Sequence, residues 1–384
     1  MVNFDNAATT YPKPPQVKYA VNYAVEKCGG NAGRGGHSLA MLTSEKVFEA
    51  RKTVADFFDA EAENVVFTLN CTHALNMAVK GIMKNGGHII TSSLEHNSVI
   101  RPIEAMKRDG IISYSVAKVY YDDDKTIQSF SRLINPETKA VVCTLASNVT
   151  GQILPYKRIA ELCRANNICF IADGAQICGI APVKLSDGIN ILCTAGHKGL
   201  YGVTGTGLLV TDGKYHIQHI IEGGTGSASI DLEQPDFLPD SLESGTLNAI
   251  GILSLKSGID FIKKKDINRI YEHEEKLCRK FISGISDIEG CTVYRNDISS
   301  YVPIVSFNIS GISCEEIAKY ANEKGFCLRA GLHCAGLAHK NLGTLKGTVR
   351  FAPSVFNNET EVNQLVHHIK IFAMSKKNSY TPLK

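Results

Sequence analysis

Between residues 64 and 211, short apolar runs alternate with helical patterns, and this alternation constrains the fold more than any other feature. NVVFTLN precedes THALNMAVKGIMK, GGHIITSS precedes HNSVIRPIEAMKRDG, and KAVVCTLAS precedes PYKRIAELCRANN. NICFIADG, INILCTAG and GTGLLVTDG follow. Val/Ile-rich runs separated by amphipathic helices predict an α/β fold with a mixed, mostly parallel sheet covered on both faces. Ligands of such sheets sit beyond the carboxyl ends of the strands. Each run meets its polar residues there: Thr72, His96, Asn148, Asp173 and Lys198.

After residue 250 the texture changes. A long helical stretch, GILSLKSGIDFIKKKDINRIYEHEEKLCRKFISGI, leads to strands near CTVYRN, VPIVSFNI and TVRFAPS and helices near CEEIAKYANEKG and TEVNQLVHHIKIFAMSKK. We expect a large domain over residues 14–255 and a smaller α/β domain built from 1–13 and 256–384. A chain of 384 residues, 44% of them hydrophobic, can bury cores of that size.

Lys and Arg number 41 against 38 Asp and Glu, a balance of +3 that gives no reason to expect nucleic acid or an anionic membrane as partner. No apolar run is long enough to span a bilayer. The opening MVNFDNAATTYPKPP lacks a charged segment followed by an apolar one, so no secretory leader is expected. The twelve cysteines form no CxxC pair, so no metal site is expected, and most lie in apolar runs as small hydrophobes. A reducing cytoplasm fits that usage.

Two residues suggest the chemistry. Asp173, in FIADGAQICG, ends an apolar strand with a carboxylate. It suits either a turn or a buried cationic nitrogen such as the pyridinium of pyridoxal phosphate (PLP). Lys198 lies 25 residues further on, in CTAGHKGLYGVTGTG. Burial among small residues would lower its pKa and ready it for imine formation. The glycines around it also resemble a phosphate loop, but the spacing is not GxxxxGK[ST].

Other residues allow a plain and a sharper reading. His96 suits stacking on a flat ring and proton transfer, or simple solvation. Thr72 opens a helix and serves as a phosphate ligand or an N-cap. Asn148 and Arg350 suit a substrate carboxylate or a structural role. In RAGLHCAG, Arg329 to Gly336, Cys334 sits between a histidine and small residues rather than in an apolar strand. It is the cysteine expected to be reactive.

Taken in order, Glu95-His96, Ser147-Asn148-Val149-x-Gly151, Asp173-x-x-Gln176, Gly196-His197-Lys198 and RAGLHCA resemble the class V aminotransferases. Within them the chain is similar to cysteine desulfurases of the RxGxHCA, selenocysteine lyase-like group. The likeness runs from DNAATT to RFAPSVFN. It implies the aspartate-aminotransferase-like PLP fold and a homodimer with shared active sites.

By position, Lys198 would carry PLP as a Schiff base. Asp173 would face the pyridine nitrogen, Gln176 the ring hydroxyl, and His96 would stack on the ring. Thr72, His73 and His197 would hold the phosphate, with Thr246 reaching the partner's. Asn148, Arg329 and Arg350 would bind substrate, and Arg34 and His37 would line the entrance. The resemblance implies that L-cysteine is converted to alanine while Cys334 takes the sulfur as a persulfide, with Lys198 or His96 moving protons. A sulfur-acceptor protein is then a further partner. Alternatives are a selenocysteine lyase acting on L-selenocysteine, another class V aminotransferase or C–S lyase, and a non-catalytic PLP-fold protein, against which the intact Lys198–Asp173–His96 set argues.

The chain departs from the family pattern at three places. Ala195 stands where many members have Ser or Thr, so one phosphate contact is either missing or supplied by Thr194. Cys71 and His73 replace the commoner Thr and Glu. AGLAHKNLGT after the nucleophile lacks the usual proline.

Overall fold

The apolar runs become the strands of one seven-stranded sheet. The computed structural model describes residues 1–33, 35–227 and 229–380. A short strand β1 (Val2–Asn3) and helices α1 (Pro15–Lys27) and α2 (Ser38–Phe58) come first. Then follow β2 (Val65–Thr68), α3 (Cys71–Met83), β3 (Gly87–Ser92), α4 (Asn97–Arg108), β4 (Ile112–Ala117) and α5 (Asp123–Ser131). The sheet is completed by β5 (Thr138–Thr144), α6 (Tyr156–Ala165), β6 (Cys169–Asp173), β7 (Ile191–Ala195) and β8 (Gly207–Thr211). The spatial order is β2-β8-β7-β6-β5-β3-β4.

Six strands share one direction, and β8 runs antiparallel to both neighbours, β7 and β2. The cause is the short connection from Ala195 to Gly207, which leaves no room for a crossover helix. The chain must instead fold straight back, and the turn that reverses it carries Lys198. Gly207 lies against the backbone of Asn70, where a β-carbon would collide, so α3 starts directly beside this turn. Strands β5 to β8 are almost wholly buried between two apolar layers, as uninterrupted Val/Ile runs require.

The long helical stretch divides into α7 (Ala249–Lys265) and α8 (Ile267–Ile285). Asp266 sits between them at φ +74, and its carboxylate accepts the Asn268 amide to cap α8. Next come β9 (Cys291–Val293), β10 (Val305–Ile309), α9 (Cys314–Glu323), β11 (Phe326–Cys327), β12 (Arg329–Gly331), α10 (Gly336–Leu342), β13 (Thr348–Phe351) and α11 (Glu359–Tyr380). A second, antiparallel sheet has the order β12-β13-β10-β9, and β1 pairs in parallel with β11. Phe4 is fully buried in the core of this region with Phe281, Phe307 and Phe351. The first residues therefore pack with the last hundred.

Candidate active site

The cavity at the carboxyl ends of the large sheet collects residues from five segments. Asp173 closes β6, and its neighbour β7 is in register at Asp173–Cys193, so the turn after β7 carries Lys198 to the same edge. Asn70, Cys71 and Thr72 enter from the start of α3, His96 and Ser98 from the start of α4, and Thr144 and Asn148 from the end of β5. Ala175 and Gln176 follow β6, and Ala195 and His197 complete the wall. Asn70 caps α3 by accepting the His73 amide, so the cap is not Thr72. The Cys71 and Thr72 amides, in the first turn, have no partner within the helix and, with the helix dipole, favour an anion.

Burial dominates the electrostatics. Lys198 is pushed below the usual lysine range by burial, with Arg350 and Arg329 acting the same way and Asp173 opposing. His96 is also lowered, chiefly by burial. Its Nδ1 accepts the Ser98 amide at 3.1 Å, so the neutral ring carries its proton on Nε2. The Ser98 hydroxyl lies 2.8 Å from that Nδ1 and 2.7 Å from the Thr72 hydroxyl, joining the two helix starts. Asp173 Oδ1 accepts the Ala175 amide at 2.9 Å and the Cys71 thiol at 3.5 Å. Burial and Asp173 hold Cys71 well above the usual thiol range, as a neutral donor.

The loop after β12 closes the other side. His333 and Cys334 both adopt left-handed backbone, with φ of 48° and 56°. The Asn148 side-chain amide donates to the His333 carbonyl at 2.7 Å, and the Asn97 amide donates to the Cys334 carbonyl at 2.8 Å. His333 Nε2 meets the Thr348 carbonyl at 3.1 Å. Cys334 is exposed, with the Arg329 guanidinium 3.9 Å from its sulfur. Arg329 and Arg350 are cross-strand partners on β12 and β13. Arg350 is fully buried; it donates to the Asn148 carbonyl and the Asp5 carboxylate, both at 2.9 Å, and its Nε has no partner. Two like charges opposite each other repel, so an anion beside them would be bound favourably.

The family model for aminotransferase class-V matches residues 2–365. The chain belongs to that family. It is 29% identical to a probable cysteine desulfurase of Methanothermobacter thermautotrophicus over 373 residues, 94% of this chain and 92% of that one. It is 28% identical to a probable cysteine desulfurase of Pyrococcus abyssi, covering 99% and 96%. The apo structure of cysteine desulfurase from Thermococcus onnurineus superposes with a TM-score of 0.91 at 27% identity, covering 97% of this chain and 95% of that one.

In this class V chain, not every residue expected at the site reaches it. Thr194 alternates to the opposite face of β7 from Ala195, and its hydroxyl donates to the Gly174 carbonyl at 3.3 Å. It does not replace the hydroxyl missing at Ala195. His73 does not line the cavity; its Nδ1 accepts the Leu69 amide. His37 is exposed and caps α2. Thr246, expected to serve the partner's site and not its own, is exposed and accepts from Asn31. Arg34 lies outside the described residues. Ser98 and the Asp5–Arg350 ion pair belong to the site and have no signal in the sequence, and Cys71, conspicuous there only as a departure from the family pattern, donates to Asp173. Motif spacing does not report a contact between residues 345 apart.

Proposed function

We propose that this chain is a PLP-dependent cysteine desulfurase that converts L-cysteine to L-alanine and stores the sulfur on Cys334. The observation that carries this reading is the joining of two halves. A cavity holding a half-buried lysine and a carboxylate is tied, through Asn148 and Asn97, to a loop that presents an exposed thiol.

The donor set fits PLP. His197 Nδ1 and Asn148 Oδ1 are buried without hydrogen-bond partners, Asp173 Oδ2 accepts nothing among the described residues, and α3 offers two unbonded amides beside Thr72. Thr72 and His197 would hold the phosphate, Asp173 the ring nitrogen, Gln176 the ring oxygen, and Lys198 the aldehyde carbon. When bound, PLP supplies an electron sink for the pair released at the substrate Cα. His96, lining the same cavity with its proton on Nε2, would face the ring. Lys198, its pKa lowered, takes and returns the Cα proton. The partnerless Nε–H of Arg350 and the Arg329 guanidinium bind the substrate carboxylate. Cys334 Sγ, as thiolate, bonds to the substrate sulfur while the Cβ–S bond breaks. Cβ keeps that bonding pair and takes a proton, so alanine leaves and Cys334 retains a persulfide.

The active form we infer is a homodimer. Leu39, Met41, Leu69 and Phe237 are exposed on the single chain, and Thr246, absent from its own cavity, is available to a neighbour's. All twelve cysteines are unpaired, which supports a reducing cytoplasm as its compartment. No described helix is long and apolar enough to cross a membrane.

The test is an alanine and sulfide assay on wild type, Cys334→Ala and Lys198→Ala with L-cysteine and L-selenocysteine. We expect Cys334→Ala to lose sulfide release from cysteine but keep the visible absorbance of bound cofactor, and Lys198→Ala to lose that absorbance band. Undiminished desulfuration by Cys334→Ala would reject the nucleophile and leave the lyase reading.

A further inference from the structure

We propose that Lys13 is a positioning residue that fixes the Lys198 turn from behind, acting through backbone rather than through substrate or cofactor. The inference rests on the reading of Lys198 as the cofactor-bearing amine.

The turn after β7 is closed by three backbone bonds: Gly196 donates to the Thr206 carbonyl, Gly202 to the Gly196 carbonyl, and Tyr201, at φ +58, to the Lys198 carbonyl at 2.9 Å. Further support comes from the opposite end of the chain. The Lys13 ammonium donates to the His197 carbonyl at 2.9 Å and to the Thr10 hydroxyl at 2.7 Å. The Thr10 hydroxyl, accepting from Lys13, in turn donates a hydrogen bond to the Lys198 carbonyl at 3.1 Å. The Thr10 amide and the Thr9 hydroxyl also converge on the His197 carbonyl, at 3.2 and 3.1 Å. Both peptide oxygens flanking the Lys198 Cα are therefore held by residues 9–13. Lys198 itself has no side-chain hydrogen bond among the described residues, so the backbone sets where its amine lies.

The same segment reaches the rest of the site. Asp5 pairs with Arg350, the Asn6 side chain donates to the Ala352 carbonyl at 3.0 Å, and Gln176 donates to the Ala7 carbonyl at 3.2 Å. Lys13 is distinctive because its half-buried ammonium has no carboxylate within 4 Å among the described residues and is met by uncharged oxygens. A cation is rarely left so unless its placement matters. Burial lowers its pKa to about 8, and its charge helps keep His197 neutral.

The experiment uses the PLP-loaded enzyme and the variants Lys13→Met, Lys13→Arg and Thr10→Val. Misplacing a reacting group by a fraction of an ångström costs one to two powers of ten, so we expect Lys13→Met to lower kcat about 10-fold with KM within about 2-fold. At equal cofactor occupancy, the visible circular dichroism of the bound cofactor should fall by about half, since its seat has loosened. Lys13→Arg, which can meet the same two acceptors, should recover most of both signals, and Thr10→Val should reproduce part of the loss. Unchanged kcat and dichroism in Lys13→Met overturn the proposal. So does failure of both Lys13→Met and Thr10→Val to fold, which would make the segment a plain structural support. If the wild type itself binds no PLP, the proposed function fails first, and the two failures are distinguishable.

Discussion

Glu95 tests how strongly burial alone sets protonation in the scaffold of this site. Its side chain is fully buried and accepts hydrogen bonds from the Ser92 hydroxyl and from the Thr144 amide at 3.0 Å, with no cation in contact. Burial pushes its pKa from 4.5 to about 8. Between those values the folded state holds a proton that the unfolded chain has lost. Stability therefore falls as pH rises through that window, and the loss is complete above the folded pKa. A separation of roughly 3.5 units at about 1.4 kcal/mol each sets a ceiling near 5 kcal/mol, and relaxation of a buried site leaves about 2–4 kcal/mol. For 384 residues the unfolding entropy is on the order of 0.8 kcal/mol/K, so this corresponds to about 3–5 °C in Tm. Glu95→Gln keeps the shape and cannot ionise.

The assay is the Tm of cofactor-free wild type and Glu95→Gln at about pH 5.5 and about pH 9, on either side of most of the titration. Any fixed cost of the amide is the same at both values and cancels. About two thirds of the titration lies between these values, so the variant's Tm relative to wild type should rise by about 2–3 °C from the lower pH to the higher. A difference that stays constant within about 1 °C, or that falls, refutes the burial account of this carboxyl.

Arg350→Lys keeps the charge but cannot bridge Asn148 and Asp5 while offering a further donor; kcat/KM for L-cysteine should fall about 100-fold with cofactor absorbance retained, measured by steady-state kinetics. Ser98→Ala removes the hydroxyl joining Thr72 to His96 while the backbone amide still bonds Nδ1, and PLP affinity from fluorescence titration should weaken about 5- to 10-fold. Thr194→Val should leave that affinity within about 2-fold, whereas Thr72→Val should weaken it about 10-fold.

The large sheet was legible because fully buried strands leave an apolar signature, and because each strand's end carries its polar residue. That Asp173 and Lys198 line one cavity was legible as well, since Asp173 ends one strand and Lys198 follows the end of its neighbour. The direction of β8 was not, although the short connection before it contains the reason. Thr194 was misplaced because a hydroxyl one residue away from the expected position points to the other face of a strand. The single long helix became two because Asp266 both ends one and caps the next, a change of backbone angle with no apolar break. Lys13, Asp5 and Ser98 act through contacts with backbone or with distant residues, and such contacts leave no mark in local spacing.

Under the proposed function, the left-handed pair at His333 and Cys334 bears on how sulfur leaves Cys334. Each non-glycine residue in that conformation costs roughly 1–2 kcal/mol, and the bonds to both carbonyls oppose its relaxation. A thiol at the middle of a free loop of ten residues, five from either anchor, would reach about 17 Å. Here Sγ travels only as far as a side-chain rotation takes it, a few ångströms. Under the proposed function, a persulfide on Cys334 is then not carried outward by its loop, and a sulfur acceptor has to bring its own nucleophile to the rim of the cavity, whose shape selects which acceptors are served.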